Sequence, residues 1–392
     1  MCVEKNVPEI RFKGFSGLWE AREFGSDLVS VQTGTNLLAV TGNSGFPLIK
    51  MGNIQRGYFS FEKVERLSSS VEVEKENIAN YGDFLFNTRN TLELVGKGAT
   101  WMCNSNEFAF NNNIARFTLK EIDTIFFNYL YNTQQMIKQV QARAMGTTSV
   151  AAIYPQNLKS IKYALPKIKE QTAIGNTFQK LDNLINQHQQ KHDKLSNIKK
   201  AMLEKMFPKQ GETIPEIRFK GFSGEWRETD LADACSNFQS GKFIKAEDIK
   251  ENAAYPVYGG NGLRGFCSEY NHDGIYALIG RQGALCGNMN LSYGKAFFTE
   301  HAIAVKANKD CDTLFLFYKL GTMNLGQYSG QSAQPGLSVT NLIKLIILVP
   351  EYREQTQIGN YFQKLDALIN KHQQQITKLN NIKQACLSKM FV

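Results

Sequence analysis

The chain has no cysteine pair at CxxC spacing, no long apolar run and no phosphate-binding loop of the GxxxxGK[ST] type. Each absence removes a class of protein. Seven cysteines (Cys2, Cys103, Cys235, Cys267, Cys286, Cys311 and Cys386) are scattered and odd in number, which argues for reduced thiols over a disulfide framework. The longest apolar run, residues 342–350, is interrupted by Lys344 and is too short to span a bilayer. Met1-Cys2-Val3-Glu4-Lys5 lacks the apolar core of a signal peptide, so a cytoplasmic location is expected. The five histidines show no HExxH or HxH spacing, and no metal site is expected. Gly260, Gly262 and Gly265 match GxGxxG, but residues 266–274 open no helix, so a glycine-rich turn is expected there and not a dinucleotide or S-adenosylmethionine loop. The Asn- or Asp-Pro-Pro-aromatic tetrapeptide of amino-methyltransferases is also missing. No catalytic group and no bound cofactor are expected on this chain.

What is present is material for two cores and a basic surface. At 392 residues the chain exceeds one ordinary core, and 42% hydrophobic content excludes a disordered one. Lys and Arg exceed Asp and Glu, 45 to 36, giving a net charge of +9 that suits a polyanionic partner.

The dominant feature is an internal duplication. Pro8-Glu9-Ile10-Arg11-Phe12-Lys13-Gly14-Phe15-Ser16-Gly17 recurs unchanged at residues 215–224, followed in each copy by a tryptophan, Trp19 or Trp226. A longer repeat runs over residues 170–207 and again over 354–391, with 27 of 38 positions identical at a shift of 184. The intervening segments resemble each other only faintly. Gly146-Thr147-Thr148 lies opposite Gly330-Gln331-Ser332, and Phe86-Asn87-Thr88-Arg89 opposite Leu278-Ile279-Gly280-Arg281. The frame is repeated and the heads have diverged.

Both long repeats are helical by pattern. Ile174, Phe178, Leu181, Ile185, His188, His192, Leu195, Lys199, Met202 and Met206 step alternately by four and three, as do Ile358, Phe362, Leu365, Ile369, His372, Ile376, Leu379, Lys383, Cys386 and Met390. That is a coiled-coil seam. Pro166 and Pro350 bar continuation upstream, and Pro208 ends the first helix. If the seams pair with each other, chain order makes the pairing antiparallel and brings the segment around Pro8 to a helix end through space. His188 and His372 share one seam position, where a register-fixing polar pair or a metal- or pH-sensitive site are the alternatives. At 1.5 Å per residue a 38-residue helix spans roughly 57 Å, or at most ~17 base pairs of duplex.

The expected fold class is α+β, with two globular recognition domains separated by two long antiparallel coiled-coil helices in a pseudo-twofold repeat. The chain divides into residues 1–165, a helix at 166–208, residues 209–349 and a helix at 350–392. Short apolar runs such as Phe84-Leu85-Phe86, Phe108-Ala109-Phe110 and residues 275–279 predict strands of a substantial twisted sheet. Residues 126–130 and 314–320 predict a helix late in each head. Polar and basic residues fall in the predicted turns: Asn87, Arg89, Asn90, Lys97, Asn111, Asn112, Asn113 and Arg116 in the first head, and Lys242, Lys245, Asn261, Arg264, Arg281, Gln282, Asn288, Asn290 and Lys295 in the second. Arg, Asn and Gln are the side chains able to bond two atoms of a guanine or adenine edge, while Lys more often holds phosphate. Asn and Gly also serve turns for their own sake. DNA reading is the leading expectation, and an interaction scaffold whose heads bind peptide or glycan is the alternative.

In combination these elements resemble the specificity subunit of type I restriction–modification enzymes over essentially the whole chain. The resemblance rests on the helices opened by Pro166-Lys167-Ile168-Lys169-Glu170-Gln171 and Pro350-Glu351-Tyr352-Arg353-Glu354-Gln355, on the twin Glu-Ile-Arg-Phe-Lys-Gly-Phe segments, and on Gly330-Gln331-Ser332-Ala333-Gln334-Pro335-Gly336-Leu337-Ser338. The first head departs from it at residues 146–152, where the Gln-Pro is missing. The resemblance implies a non-catalytic subunit in which each head reads one half of a bipartite asymmetric DNA site, with Gln331 and Ser332 joining the candidates. The coiled coil would set the spacing and dock two methyltransferase subunits, which would carry S-adenosylmethionine. A restriction and translocase subunit would complete the complex.

Overall fold

A computed structural model describes residues 6–40, 44–147, 149–283, 285–329 and 336–392. The chain packs as two compact units, Met1–Gln187 with Gln375–Val392, and His188–Gln374. Each unit thus holds one head together with part of both long helices, Ile168–Lys205 and Tyr352–Lys389.

The heptad pattern explains what these helices bury. Every one of these a and d positions is buried or half-buried, with Phe178 and Phe362 wholly buried. In the second unit His188 meets His372, Lys199 meets Asp366 and Phe207 meets Phe362, so one number rises as the other falls and the pairing is antiparallel. In the first unit Phe178 meets Phe391 and Lys383 meets Asp182, with the same polarity. The first heptads pack into a head as well as onto the partner helix. Ile174 and Phe178 belong to the core that holds Trp19, Phe126 and Met390, and Ile358 and Phe362 to the core of Trp226, Phe315 and Met206.

The frame repeat in sequence is a repeat of contacts. Arg11 grips Glu170 with two bonds of 2.7 Å, and Arg218 grips Glu354 with two of 2.6 Å, both carboxylates being almost fully buried. Hydrogen bonding to Glu170 holds the Arg11 guanidinium above its ordinary pKa, against the opposing effect of burial. Gln171 and Gln355 donate to the carbonyls of Pro166 and Pro350 and accept from the backbone of Asp123 and Asp312, which in turn cap the head helices Thr124–Tyr131 and Thr313–Thr322. Ile217 N–H donates to Lys205 O, capping the first long helix, and Ile10 N–H donates to Lys389 O, capping the second through space. Tyr129 and Tyr318 donate to Asp182 and Asp366 at 2.8 Å, the same carboxylates that meet the seam lysines. Gly175 and Gly359 follow because a Cβ there would come within 2.8 Å of Phe126 N or 2.9 Å of Asp312 Oδ1.

Each head is built on a four-stranded antiparallel sheet. In the first the order is Leu28–Thr33, Ile114–Leu119, Phe84–Asn87, Gly98–Thr100, and in the second Cys235–Ser240, Ala302–Ala307, Tyr276–Gly280, Met289–Ser292. Around it lie further small sheets of two to four strands, none longer than six residues. The single substantial sheet expected from sequence is therefore divided, because glycine- and asparagine-rich turns interrupt the chain every few residues. The head helices fall where the sequence predicts them. Gly260 and Gly262 sit at the turn of the hairpin Tyr255–Gly259 and Gly262–Cys267, as the absence of a following helix implied. Among the described residues no helix is long and apolar enough to cross a membrane, and no group of three His, Cys, Asp or Glu is placed to hold a metal ion.

Candidate nucleic-acid interface

Antiparallel order brings three connections to one end of each central sheet. In the first head these are residues 34–38, 88–97 and 111–113, laced together by Asn112 N–H to Thr35 O at 3.0 Å and Thr88 N–H to Asn113 O at 2.9 Å. In the second they are residues 241–245, 281–283 with 285–288, and 299–301, laced by Lys242 N–H to Phe298 O and Arg281 N–H to His301 O, both 2.9 Å. The hairpin turn at Gly260 joins this end, since a Cβ there would lie 2.8 Å from His301 O.

The backbone pattern aligns the two heads residue by residue. Thr88 O accepts from Ile153 N–H and Arg281 O from Leu337 N–H, so Thr88 and Arg281 are equivalent. The sequence comparison, which set Arg89 opposite Arg281, is out of register by one. Arg89 stands opposite Gln282. Both are exposed, and both pair across to a neighbouring segment, Arg89 with Ala152 and Gln282 with Gly336. By the same criterion Lys97 matches Asn288, because Asn87 N–H bonds Lys97 O as Gly280 N–H bonds Asn288 O.

Several candidates stand at this end with their side chains in solvent: Arg89, Asn112, Lys242, Lys245, Asn261, Gln282 and Asn288, with Arg264 beside them against Gly259. Some are tethered. Asn112 Nδ2 donates to Asn36, Lys245 pairs with Glu247 at 3.5 Å, and Gln282 Oε1 lies 2.9 Å from His301 Nδ1. Arg281 is half-buried, reaching the carbonyls of Leu337 and Glu300 at 3.4 Å. Lys97 is half-buried and donates to Gln55; burial first, then the charge of Arg56, lowers its pKa.

Other candidates are not where the composition of turns put them. Asn87 is fully buried at the end of a strand, with Nδ2 toward Met51 O. Arg116 is half-buried within Ile114–Leu119, where it pairs with Asp83 at 3.0 Å and also donates to Gln32 and to the carbonyls of Ile78 and Glu76. Its donors are spent inside the protein. Asn90 accepts from Thr91 N–H and serves its turn. Asn290 is half-buried in a strand, and Lys295, exposed in a turn as expected, lies past the other end of that strand over the Tyr270 ring at 4.7 Å. Gln331 and Ser332 lie outside the described residues. Sequence reasoning missed Asn36, Phe243 and His301, all of them at the convergent sheet end. The signal available for the first two was the glycine after each edge strand, Gly34 and Gly241, which face carbonyls of Phe110 and Phe298 alike.

The His188 and His372 rings face each other in the seam, Nδ1 to Nδ1, at 2.9 Å. One nitrogen must donate and the other accept, so the pair requires at least one neutral ring.

The model of the type I restriction modification DNA specificity domain matches twice, over residues 19–197 and 223–381. The chain is 41% identical over 174 residues to the Escherichia coli type I restriction enzyme EcoprrI specificity subunit, an alignment covering 43% of this chain and 42% of that protein. It is 23% identical to the putative type I restriction enzyme MjaX specificity subunit of Methanocaldococcus jannaschii, over 92% of this chain and 90% of that one. The crystal structure of a type I restriction-modification S subunit from M. genitalium shares the fold, with a TM-score of 0.73 at 19% identity over 98% of this chain and 99% of that one. With the domain model matching both halves and most of its length, the chain belongs to the type I restriction modification DNA specificity family.

Proposed function

We propose that this chain is the non-catalytic DNA-reading subunit of a type I restriction–modification complex. Each head reads one half of a bipartite asymmetric site, and the paired helices set the gap between the halves. Two identical methyltransferase subunits dock on the repeated frame and carry S-adenosylmethionine, the chain itself binding no cofactor. A restriction and translocase subunit completes the complex. The observation that carries this reading is the contrast between frame and heads. The frame contacts recur residue for residue, whereas the equivalent exposed positions carry different base-reading chemistry, Arg89 in one head and Gln282 in the other. Arginine suits guanine O6 and N7, and glutamine suits adenine N6 and N7. Identical partners need repeated docking surfaces, and an asymmetric site needs two different readers.

The test is equilibrium binding by the chain assembled with its methyltransferase subunits. Duplex carrying both half-sites should bind in the nanomolar range, with affinity falling steeply as salt rises. Equal binding to duplexes with scrambled half-sites would remove the proposal.

A further inference from the structure

We propose that Phe243 is an apolar DNA-contacting residue, presented by a pinned loop to the bases of the half-site read by the second head, with Leu38 serving the first head in the same way. The inference rests on the DNA-reading function proposed above and adds a contact that is neither a hydrogen bond nor a phosphate pair.

Both side chains leave the same loop. In each head the edge strand of the central sheet ends in a glycine that lies against a backbone carbonyl; a Cβ at Gly34 or Gly241 would come within 2.0 Å of Phe110 O or 2.1 Å of Phe298 O. The next residue repeats the attachment, Thr35 N–H and Lys242 N–H bonding those same carbonyls at 2.9 Å. The glycine N–H groups bond Ile114 O at 3.1 Å and Ala302 O at 3.0 Å. Three consecutive constraints leave the start of the loop little freedom.

Beyond this rigid base each loop holds an apolar side chain out in water. Phe243, two residues past its glycine, is 73% exposed, more than any other aromatic among the described residues. Leu38, four residues past its glycine, is 86% exposed. A single exposed apolar residue is ordinary; a pair on equivalent pinned loops, at the sheet end where the polar candidates converge, is not. The surroundings choose the occupant. Lys242 and Lys245 bracket Phe243 with exposed side chains, and Asn36, two residues before Leu38 on its loop, accepts from Asn112. A peptide or lipid surface would satisfy the ring but gives no reason for the flanking lysines and the row of Gln and Asn side chains. In a DNA groove lysines meet phosphate, amides meet base edges, and an aromatic or leucine side chain meets a thymine methyl or enters a base step.

An apolar base contact and a phosphate contact respond differently to salt. Each neutralised phosphate contributes about 0.9 to the slope of log K against log salt, and an apolar contact contributes nothing. The experiment compares Phe243→Ala, Phe243→Trp and Lys242→Ala in the assembled complex on cognate duplex and on duplex with only the second half-site scrambled. Phe243→Ala should lose about tenfold in cognate affinity with unchanged salt slope and unchanged melting temperature. Phe243→Trp should retain the affinity and change its fluorescence on cognate DNA, and Lys242→Ala should flatten the slope. Cognate affinity of Phe243→Ala within twofold of the parent overturns the inference, as does a loss accompanied by a flatter slope. If the parent complex does not distinguish cognate from scrambled duplex, the DNA-reading function falls and this contact falls with it, whereas parent discrimination with an inert Phe243→Ala removes the contact alone.

Discussion

Replacing Arg218 with methionine should destabilise the second unit by about 3–5 kcal/mol, the usual consequence of removing one partner from a buried ion pair. The Glu354 side chain has no exposed surface and takes both its bonds from the Arg218 fork at 2.6 Å. Methionine keeps most of the stem but strands a fully buried carboxylate. At about 2–4 °C per kcal/mol for a body of this size, the melting temperature should fall roughly 6–20 °C. Replacing Glu354 with leucine in the same chain removes the stranded charge, and the double variant should recover to within about 1 kcal/mol of the parent. The cycle is read by circular dichroism melts and urea titration of the full chain. The pair Arg11 and Glu170, with two bonds of 2.7 Å, provides an independent repeat in the first unit. A single-variant loss below about 1 kcal/mol, or a double variant no better than the single, would refute the claim that each buried carboxylate depends on its arginine.

Other outcomes follow from the same geometry. Gly359→Ala should destabilise by about 1–3 kcal/mol despite its better helix propensity, because its Cβ would press on Leu314 Cβ and Phe315 N; a melt that rises instead contradicts the close contact. Leu365→Asp with Leu181→Asp should abolish co-elution with methyltransferase subunits on a sizing column, since Leu365 is buried and Leu181 half-buried in the seam. Burial, then the charges of His188, Lys191, Lys371 and His192, depress the His372 pKa. The unfolded chain therefore takes up a proton that folded His372 refuses, and stability should fall as pH drops below about 6.5, a dependence that His372→Asn should reduce in melts run from pH 7.5 to 5. Arg89→Ala and Gln282→Ala should each relax specificity at one position of one half-site only, by about 1–3 kcal/mol in competition binding.

The frame was legible in the sequence because its signal is periodic. Positions such as Phe178 and Phe362 repeat with the helix, and an identical segment twice over has to do the same thing twice. Glu170, Gln171 and Gly175 were legible as repeated but not as buried, since charge and amide ordinarily indicate solvent and only the Arg11 fork and the Asp123 cap explain their burial. The heads were harder to read. Residue type alone does not give the phase of a short strand, so Asn87 and Arg116 read as turn residues although one ends a buried strand and the other spends its donors on Asp83 and Gln32. The same weakness set Arg89 opposite Arg281; one residue of slip exchanges the faces of a strand, and only the hydrogen bonds of Thr88 and Arg281 correct it. Phe243 carried no motif, and its meaning comes from exposure and from the glycine that pins its loop.

The most direct test of the account is a methylome of the host with and without this chain. A split asymmetric motif, two specified words at a constant gap, should be methylated only when the chain is present; exchange of Gln282 or Phe243 should alter one word and leave the other and the gap unchanged. A methylation pattern that does not change when the chain is removed would contradict it.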